Sequence, residues 1–387
     1  KQPEASKPKL DKAQRKAHWF SLALAVVSGC MWFLAVADYD IWPLAYIAMV
    51  PVMWAVENAP TRRRALFYGW VTGLVTNLGG FYWISGLLER FGHLPAVVAL
   101  LGLLLLAAYQ GLVYWIFFWV LRSIRKSSER LWGQPLPMVL LAPIVMVSAE
   151  MTVPLLFPWY LAIAQAWVVP VIQIAEFAGP FAVTAFLMVV NGAIYDVATE
   201  KGFRRVRSAG IGVAVTACVL IFGYVRIAQI QEIRAAAPAL KVGVVQGNIP
   251  FDEKGINKPG LAARQLRELQ EKSAELEAQG AEFIMWTESS YPYGVPRDSE
   301  KDFSENDGRR IRRGFDVPIM LGALTYDRHD HDSRPYNSAL MLDSADNFTA
   351  RFDKIFLLML GEYIPFLETF PSLEEILPKN ASHFSRG

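Results

Sequence analysis

Long apolar runs dominate the first 230 residues of the chain. Each is close to the roughly 20 residues that a helix needs to cross a bilayer. As buried helices of a soluble protein, so many runs would leave no polar surface to cover them. The pattern therefore predicts a polytopic α-helical membrane domain over residues 18–230, after a polar segment at 1–17. We place seven spans, at 18–37, 41–57, 65–88, 94–121, 136–154, 176–197 and 208–227.

The periodicity changes after Leu240. Alternating apolar and polar positions rich in β-branched residues predict short strands, and residues 259–279 have the pattern of an amphipathic helix. A charge-rich loop, 298–313, is predicted to run into a second helix. This order of elements is typical of an α/β layered domain, which we assign to residues 240–387. The predicted strands are 241–248, 282–287, 317–326, 338–342 and 348–352.

Loop charges predict the orientation of the spans. Lys and Arg concentrate before the first span and in every second loop thereafter, with examples at Arg62, Arg63, Arg125, Arg204 and Arg205. Cytoplasmic loops carry this excess in membrane proteins. The N-terminus is therefore predicted to be cytoplasmic, and an odd number of spans places the α/β domain on the opposite, extracytoplasmic side.

Composition adds little about partners, but the cysteines and the chain ends are informative. The chain has 387 residues, 53% hydrophobic and 19% charged, with a net charge of +2. Its two cysteines, Cys30 and Cys218, lie inside apolar runs, so neither is expected to be a nucleophile or part of a disulfide framework. The sequence starts at Lys1 without a methionine and stops at Ser-Arg-Gly, and we expect it to be truncated at both ends.

Several polar residues lie within or beside the apolar runs. Glu150, Glu176 and Asn191 are costly at membrane depth and are often functional there, although helix–helix hydrogen bonding accounts equally well for Asn191. The segment 155–176 contains no Lys or Arg and is rich in aromatic residues. It is either an ordinary interfacial aromatic belt or the lining of a lipid-entry site.

The α/β half contains three candidate catalytic residues. Glu288 directly follows a predicted buried strand, at the carboxyl edge where α/β domains build their sites. Lys354 follows another strand, and Glu362 lies eight residues later, beyond the apolar run 355–360. Locally, the lysine and the second glutamate also fit an ordinary solvated pair. A carboxylate base, an ammonium group and an apolar wall suit acyl transfer, but a nucleophile is missing.

Two polar loops leave alternatives open. Arg309, Arg310, Arg312 and Arg313 are interpreted as a solvated loop, with binding of anionic headgroups as the alternative. His329 and His331 alternate with acidic residues in DRHDHD, which we interpret as a polar loop rather than a metal site. We predict neither a metal nor a cofactor.

Four motifs stand out in the α/β half: VVQGNIP (244–250), WTES (286–289), YNSALML (336–342) and FDKIFLLMLGEYIPF (352–366). They resemble the motifs of the apolipoprotein N-acyltransferase family, the membrane branch of the carbon–nitrogen hydrolase (nitrilase) superfamily. Residues 157–181 also resemble its membrane half, and HFSRG at 383–387 resembles the segment before its nucleophile. This chain departs from the family pattern at Thr287, where a proline is usual, at Met359-Leu360, where Pro-Phe is common, and in lacking an aromatic near 254–256.

The resemblance implies a nitrilase-like αββα sandwich with a Glu–Lys–Cys triad. By that resemblance Glu288 is the general base, Lys354 stabilises the tetrahedral intermediate and Glu362 is a second carboxylate near the site. The family's nucleophilic cysteine and an eighth span would lie beyond Gly387. The implied reaction moves an acyl chain from a phospholipid such as phosphatidylethanolamine, through a cysteine thioester, to the α-amine of a diacylglyceryl-apolipoprotein.

The resemblance also implies a location and partners. We expect a multi-pass protein of the bacterial inner membrane with a periplasmic catalytic domain, and lipid rather than nucleic acid as partner. Two other functions remain open. One is a membrane-anchored amidase or nitrilase acting on a small substrate. The other is an inactive lipid-binding scaffold, because these 387 residues contain no cysteine outside the apolar runs.

Overall fold

A computed structural model describes residues 12–36, 39–90, 94–248, 260–329, 334–358, 361–363 and 384–387. The chain forms two compact units, Lys1–Ala236 and Ala237–Gly387. The first is helical and the second is built on a β-sheet, and each is described by itself.

The first unit consists of helices that coincide with the apolar runs. Each of the seven predicted spans lies on one or more helices. The helices are α1 (Lys12–Leu34), α2 (Val50–Glu57), α3 (Arg62–Gly80), α4 (Trp83–Arg90), α5 (Ala96–Gln110), α6 (Leu112–Trp132), α7 (Met138–Thr152), α8 (Val169–Ile172), α9 (Ala175–Ala178), α10 (Pro180–Thr199) and α11 (Gly202–Ala236), with 3₁₀ turns at Trp42–Tyr46 and Leu161–Gln165.

Within the described ranges, four helical stretches are long and apolar enough to cross a membrane: α1, α5 with α6, α10, and α11. The other predicted spans are shorter or interrupted helices. The fold therefore has the membrane-crossing helices that the apolar runs predict, whereas the number seven stays a prediction.

Buried polar side chains tie these helices together. Asn191 on α10 accepts a hydrogen bond from the Met49 amide at 2.9 Å and donates one to the Ala45 carbonyl at 2.8 Å. Asp196, further along α10, accepts from the amides of Met138 and Val139 and so caps the start of α7. Burying a polar group is favourable only when it is paired. These contacts give Asn191 the helix-to-helix role that the sequence left open.

The other polar residues at membrane depth also have structural partners. Glu150 on α7 accepts a 2.7 Å hydrogen bond from the Leu161 amide, which anchors the connection that follows α7. Glu176 forms a two-pronged ion pair with Arg226 of α11, both contacts being 2.7 Å long. In that connection Trp167 is 78% exposed, an arrangement that fits either of the roles considered for segment 155–176.

The part of the second unit that the structure describes is a mixed sheet with a helix packed on its buried face. Strand order is β1–β2–β4–β5–β6, and β3 also pairs with β4. β1, β2 and β3 run parallel to β4, whereas β5 and β6 form an antiparallel extension. The elements are β1 (Val242–Val245), α12 (Leu261–Ala278), β2 (Phe283–Trp286), β3 (Gly294–Pro296), β4 (Ile319–Tyr326), β5 (Tyr336–Leu342) and β6 (Phe348–Asp353).

Alternation along the strands separates the two faces of the sheet. Side chains such as Ile284, Ile319 and Leu321 are fully buried and share a core with Leu266 and Leu269 of α12. The opposite face presents exposed apolar side chains within this unit, at Val242, Val244, Met341 and Phe352. The mixed sheet is the α/β domain that the sequence predicts. The second sheet of an αββα sandwich stays a prediction.

The predicted helix after the charge-rich loop is wrong. Between β3 and β4 the chain forms turns, with no helix in this described stretch. Asp302 holds the turns by accepting hydrogen bonds from the amides of Phe303, Ile311 and Arg312. Capping of backbone amides by this partly buried aspartate competes with helix formation here.

Two arginines of the same loop form ion pairs within the α/β unit. Arg310 and Arg312 both form ion pairs with Asp346, and the Arg312 side chain is only 7% exposed. This pairing leaves the exposed Arg309 and Arg313 as the arginines of the group that face solvent. The DRHDHD loop lies partly outside the described residues, since 330–332 are not described. No group of metal-ligating side chains occurs among the residues that were described.

Candidate active site

Sheet topology brings the ends of four strands to one edge. The carboxyl ends of β2, β4 and β6 and the amino end of β5 share this edge, because β4 is parallel to β2 and antiparallel to β5, which is antiparallel to β6. Carboxyl edges of parallel strands are where α/β proteins build their sites. The three candidate residues predicted from the sequence meet here.

Glu288 lies on an excursion between two strands that pair with the same neighbour. β2 pairs with the start of β4, and β3 pairs with its end. Between them the chain leaves the plane of the sheet and passes across Gly322 of β4, whose carbonyl accepts a 3.1 Å hydrogen bond from the Tyr291 amide. A methyl group placed on Gly322 would lie 2.6 Å from the Cα of Glu288. Only glycine at 322 therefore allows this crossing.

The residue after Glu288 completes the turn. Ser289 has a φ of 51°, in the left-handed region that non-glycine residues seldom adopt. Such local strain persists where the surrounding structure enforces it, and it is common at functional sites. The crossing and this turn together aim the Glu288 side chain along the sheet edge.

Lys354 joins the two carboxylates. Its Nζ lies 3.0 Å from Oε1 of Glu288 and 2.9 Å from Oε1 of Glu362. Glu362 is itself held by the Leu358 amide, which donates to its Oε2 at 2.7 Å. Side-chain exposure is 63% for Glu288, 34% for Lys354 and 13% for Glu362. The structure thus brings together all three predicted residues, with Glu288 as the member most open to solvent.

Asn337 is a fourth member that the sequence did not single out. Its Nδ2 donates to Oε1 of Glu288 at 2.6 Å and to Oε1 of Glu362 at 3.0 Å. The side chain is buried near the start of β5, and the Asn337 carbonyl accepts from the Lys354 amide at 2.8 Å. The sequence feature that could have identified Asn337 is its position as a polar residue in a largely apolar strand, because a buried amide side chain needs hydrogen-bond partners.

Electrostatics favour the charged forms of Lys354 and Glu362. Partial burial lowers the pKa of Lys354, but hydrogen bonds from its ammonium to Glu362 and Glu288 outweigh this effect, and the net pKa is raised. Burial likewise raises the pKa of Glu362, but the Leu358 amide, Lys354 and Asn337 stabilise its carboxylate, and the net pKa is lowered. The ammonium and this carboxylate are therefore a stable ion pair at neutral pH.

The C-terminal residues run beside this cluster. The Phe384 amide donates to the Glu362 carbonyl at 2.9 Å, and the Gly387 amide donates to the Lys354 carbonyl at 3.1 Å. Ser385 forms a parallel bridge to Tyr336 at the start of β5. Residues 384–387 thus lie along the same sheet edge as the three titratable groups.

Three side chains of the apolar run after Lys354 are exposed. Ile355 is 48% exposed, Phe356 89% and Leu358 49%. Met359 and Leu360 lie outside the described residues, as do 249–250 of the VVQGNIP motif. The described part presents apolar side chains next to the charged cluster.

Helices able to cross a bilayer and an α/β unit with a lysine between two carboxylates define a membrane protein with a candidate acyl-transfer site. Residues 28–193 match a family model described as the apolipoprotein N-acyltransferase N-terminal domain. Three similar proteins named apolipoprotein N-acyltransferase extend the likeness over nearly the whole chain. Over nearly its whole length the chain is therefore similar to proteins of the apolipoprotein N-acyltransferase family.

The three relatives come from different bacteria. The Geobacter metallireducens protein is 26% identical over 364 residues, which cover 92% of this chain and 67% of the relative. The Bdellovibrio bacteriovorus protein is 24% identical, covering 94% of this chain and 67% of the relative. The Shewanella oneidensis protein is 27% identical, covering 97% of this chain and 71% of the relative. The chain thus spans roughly two thirds of the length of each relative.

Proposed function

We propose that this protein N-acylates lipoproteins, moving an acyl chain from a membrane phospholipid to the α-amine of an N-terminal diacylglyceryl-cysteine. The observation that carries the proposal is the Glu288–Lys354–Glu362 cluster bridged by Asn337, at the sheet edge of a chain that is similar to this family. The relatives' names supply the reaction class. The phospholipid donor and the thioester route are inferences from the resemblance and from the chemistry of the site.

Lys354 has the geometry of an oxyanion-stabilising group. An ammonium has three N–H donors, and two of those on Lys354 point to Glu288 and Glu362. The third remains for the oxygen of a tetrahedral intermediate, since no further hydrogen bond of Nζ occurs among the described residues. A fixed positive charge at that point stabilises developing negative charge.

Glu288 has the geometry of a general base. Its Oε1 accepts hydrogen bonds from Lys354 and Asn337, whereas no partner of its Oε2 occurs among the described residues, and the side chain is 63% exposed. Glu362 has both oxygens engaged, Oε1 by Lys354 and Asn337 and Oε2 by the Leu358 amide. We therefore assign proton transfer to Glu288 and the positioning of Lys354 to Glu362.

We place the nucleophilic cysteine in sequence that follows Gly387. Cys30 and Cys218 lie on α1 and α11 of the helical unit, inside apolar runs. The hydrogen bond between the Gly387 amide and the Lys354 carbonyl supports this placement. Because a chain advances by at most about 3.5 Å per residue, a cysteine shortly after Gly387 stays near the ammonium.

The proposed reaction has two steps. Glu288 takes the thiol proton, and the thiolate attacks the carbonyl carbon of the phospholipid ester. The tetrahedral intermediate collapses to a thioester, and the departing lysophospholipid oxygen takes the proton back from Glu288. In the second step the lipoprotein amine attacks the thioester, Glu288 accepts an amine proton, and the released thiolate regains it as the amide forms.

Lipid access and location are part of the same proposal. The exposed apolar run 355–358 supplies a surface for acyl chains beside the cluster. The exposed face of the sheet supports the second layer of an αββα sandwich. We propose a bacterial inner-membrane protein with a cytoplasmic N-terminus and a periplasmic catalytic domain, because basic residues concentrate in alternate loops.

The test is acyl transfer from a labelled phospholipid to a diacylglyceryl peptide, using the intact protein in membranes or detergent. Glu288→Gln and Lys354→Ala should each abolish transfer, because they remove the base and the oxyanion charge. Glu305→Gln and Lys272→Ala are matched controls on the exposed surface of the same unit and should leave transfer unchanged.

Two results would contradict the proposal. Retained transfer in both site variants, with unchanged thermal stability, would remove the assigned roles. Hydrolysis of small amides without any transfer between lipids would instead identify a membrane-anchored amidase.

A further inference from the structure

A basic groove lies in the helical unit, between the start of α3 and the second half of α6. Its volume is about 230 Å³. α6 changes character along its length, from the apolar run 112–121 to the charged run 122–132. The groove lies at this transition, which on a membrane helix is the level of the lipid headgroups. Its lining includes Arg62, Leu66, Trp119, Arg122, Lys126 and Arg130.

Four cations converge on the groove with little acidic compensation. Among ion pairs between described residues, Lys126 alone of the four has a carboxylate partner, Glu129, at 2.9 Å. Arg122 is fixed in place by donating to the carbonyls of Val56, Glu57 and Ala59. The groove therefore has a surplus of positive charge, part of it on a guanidinium that the backbone already orients.

Aromatic side chains form the wall on the apolar side. The Arg62 guanidinium lies 5.5 Å from the centre of the Trp119 ring, and Trp119 stacks on Trp115 one turn earlier in α6. Tryptophan is enriched at the membrane–water boundary, where its ring contacts both apolar and polar groups. Trp119 is 39% exposed, so its ring is available to a ligand.

We propose that this groove binds the headgroup of an anionic phospholipid. The phosphate would lie among Arg62, Lys126 and Arg130, and an acyl chain would run along Trp119 towards the apolar half of α6. A ligand with one anionic end and one apolar end matches both walls, whereas a free phosphate ion would use only the cations. This site lies wholly within the helical unit and does not depend on the catalytic proposal.

The experiment measures lipid bound to the intact protein by native mass spectrometry, with phosphatidylglycerol and phosphatidylcholine as probes. The protein should retain one phosphatidylglycerol that phosphatidylcholine does not replace. Arg62→Gln with Arg130→Gln should weaken that binding roughly 25-fold, because each cation near an anionic lipid contributes about 1 kcal/mol. Arg63→Gln with Arg207→Gln removes two exposed arginines outside the groove and should retain the lipid.

A second variant covers the case in which the double arginine variant fails to fold. Trp119→Leu keeps every cation and should weaken binding about 2- to 5-fold, because a cation–π wall contributes about 0.5–1 kcal/mol. Equal retention of both lipids, or equal losses in the groove and control variants, would overturn the proposal. Displacement of the lipid by millimolar inorganic phosphate would identify a simple anion site and overturn it too.

Discussion

At the scale of single residues, the candidate site is a lysine held by two carboxylates of different character. Glu362 is 13% exposed and has both oxygens engaged, whereas Glu288 is 63% exposed and has one oxygen engaged. Two groups of the same chemical type thereby acquire different roles through their surroundings. Asn337 sets the distance between the two carboxylates, because its side-chain amide nitrogen donates a hydrogen bond to each of them.

We predict that Asn337→Ala lowers acyl transfer about 10- to 100-fold, because a hydrogen bond to a charged group contributes roughly 1.5–3 kcal/mol. The loss should fall mainly on kcat, since Asn337 positions the carboxylates and does not reach the substrate in the proposed mechanism. Steady-state kinetics would check this. Thr349→Ala removes only a weak 3.5 Å contact to the Met341 carbonyl, outside the cluster, and serves as control. Equal kinetics in both variants would contradict the role.

The ion pair also predicts a dependence of stability on pH. The folded pKa of Glu362 is lowered, so its contribution is present above the ordinary value of 4.5 and is lost as pH falls through the folded pKa. The folded pKa of Lys354 is raised, so its contribution is present below 10.5 and is lost as pH rises through the folded pKa. The pair therefore stabilises the fold fully between these two values.

Thermal unfolding of the intact protein and of Glu362→Gln should show this window. The difference between their midpoints should be constant at intermediate pH and should narrow below pH 4.5, where the parent protonates its carboxylate. A difference that stays the same into strong acid would show that Glu362 does not stabilise the fold through its charge.

At the scale of elements, Gly322 decides where Glu288 lies. The chain between β2 and β3 crosses β4 at this glycine, and a methyl group there would also lie 2.6 Å from the Ser289 nitrogen. The contact is with backbone, which cannot rotate away as a flexible side chain can. Gly322 would ordinarily be interpreted as a residue needed for packing of the strand. Here it also determines the position of Glu288.

Gly322→Ala should reduce acyl transfer strongly while leaving the sheet folded, with a cost of about 1–3 kcal/mol for overpacking. Gly308→Ala is the matched control, because a methyl group at Gly308 meets nothing within 4 Å. Activity and thermal midpoints of the two variants test the claim. Full activity in Gly322→Ala would show that the crossing tolerates displacement.

At the scale of the whole molecule, the distribution of basic residues predicts which side of the membrane each unit faces. The alternation of basic loops predicts that the turn between α10 and α11 is cytoplasmic and that the α/β unit is not. Lys201 lies in that turn and Ser304 lies on the α/β unit, and both are exposed.

We predict opposite labelling of cysteines introduced at these two positions. In a background with Cys30 and Cys218 replaced, Ser304→Cys should react with an impermeant maleimide applied to cells whose outer membrane has been opened. Lys201→Cys should react only after the inner membrane is lysed. The reverse pattern would invert the orientation, and labelling of both in intact spheroplasts would contradict the number of crossings.

Much of this protein is readable from its sequence because the signals are local. Apolar runs and alternation predict the helices, α12 and five strands, and the motifs around Glu288, Lys354 and Glu362 pick out residues that then meet in space. The predicted helix between β3 and β4 failed because Asp302 and Asp346, distant in sequence from some of their partners, hold that segment in turns. The sequence does not predict β3, because a strand of three residues is too short to show a periodic pattern of apolar and polar positions.

The tertiary structure decided what depends on close approach between distant residues. Glu288, Asn337 and Lys354 are separated by 49 and 17 positions along the chain, and only the order and direction of β2, β4, β5 and β6 bring them to one edge. Local periodicity records which face of an element is buried. It does not record that Asn337 bridges two carboxylates, that Gly322 lets the backbone cross, or that four cations converge beside Trp119. Those facts are set by packing, in which each position is fixed by neighbours far away in the sequence.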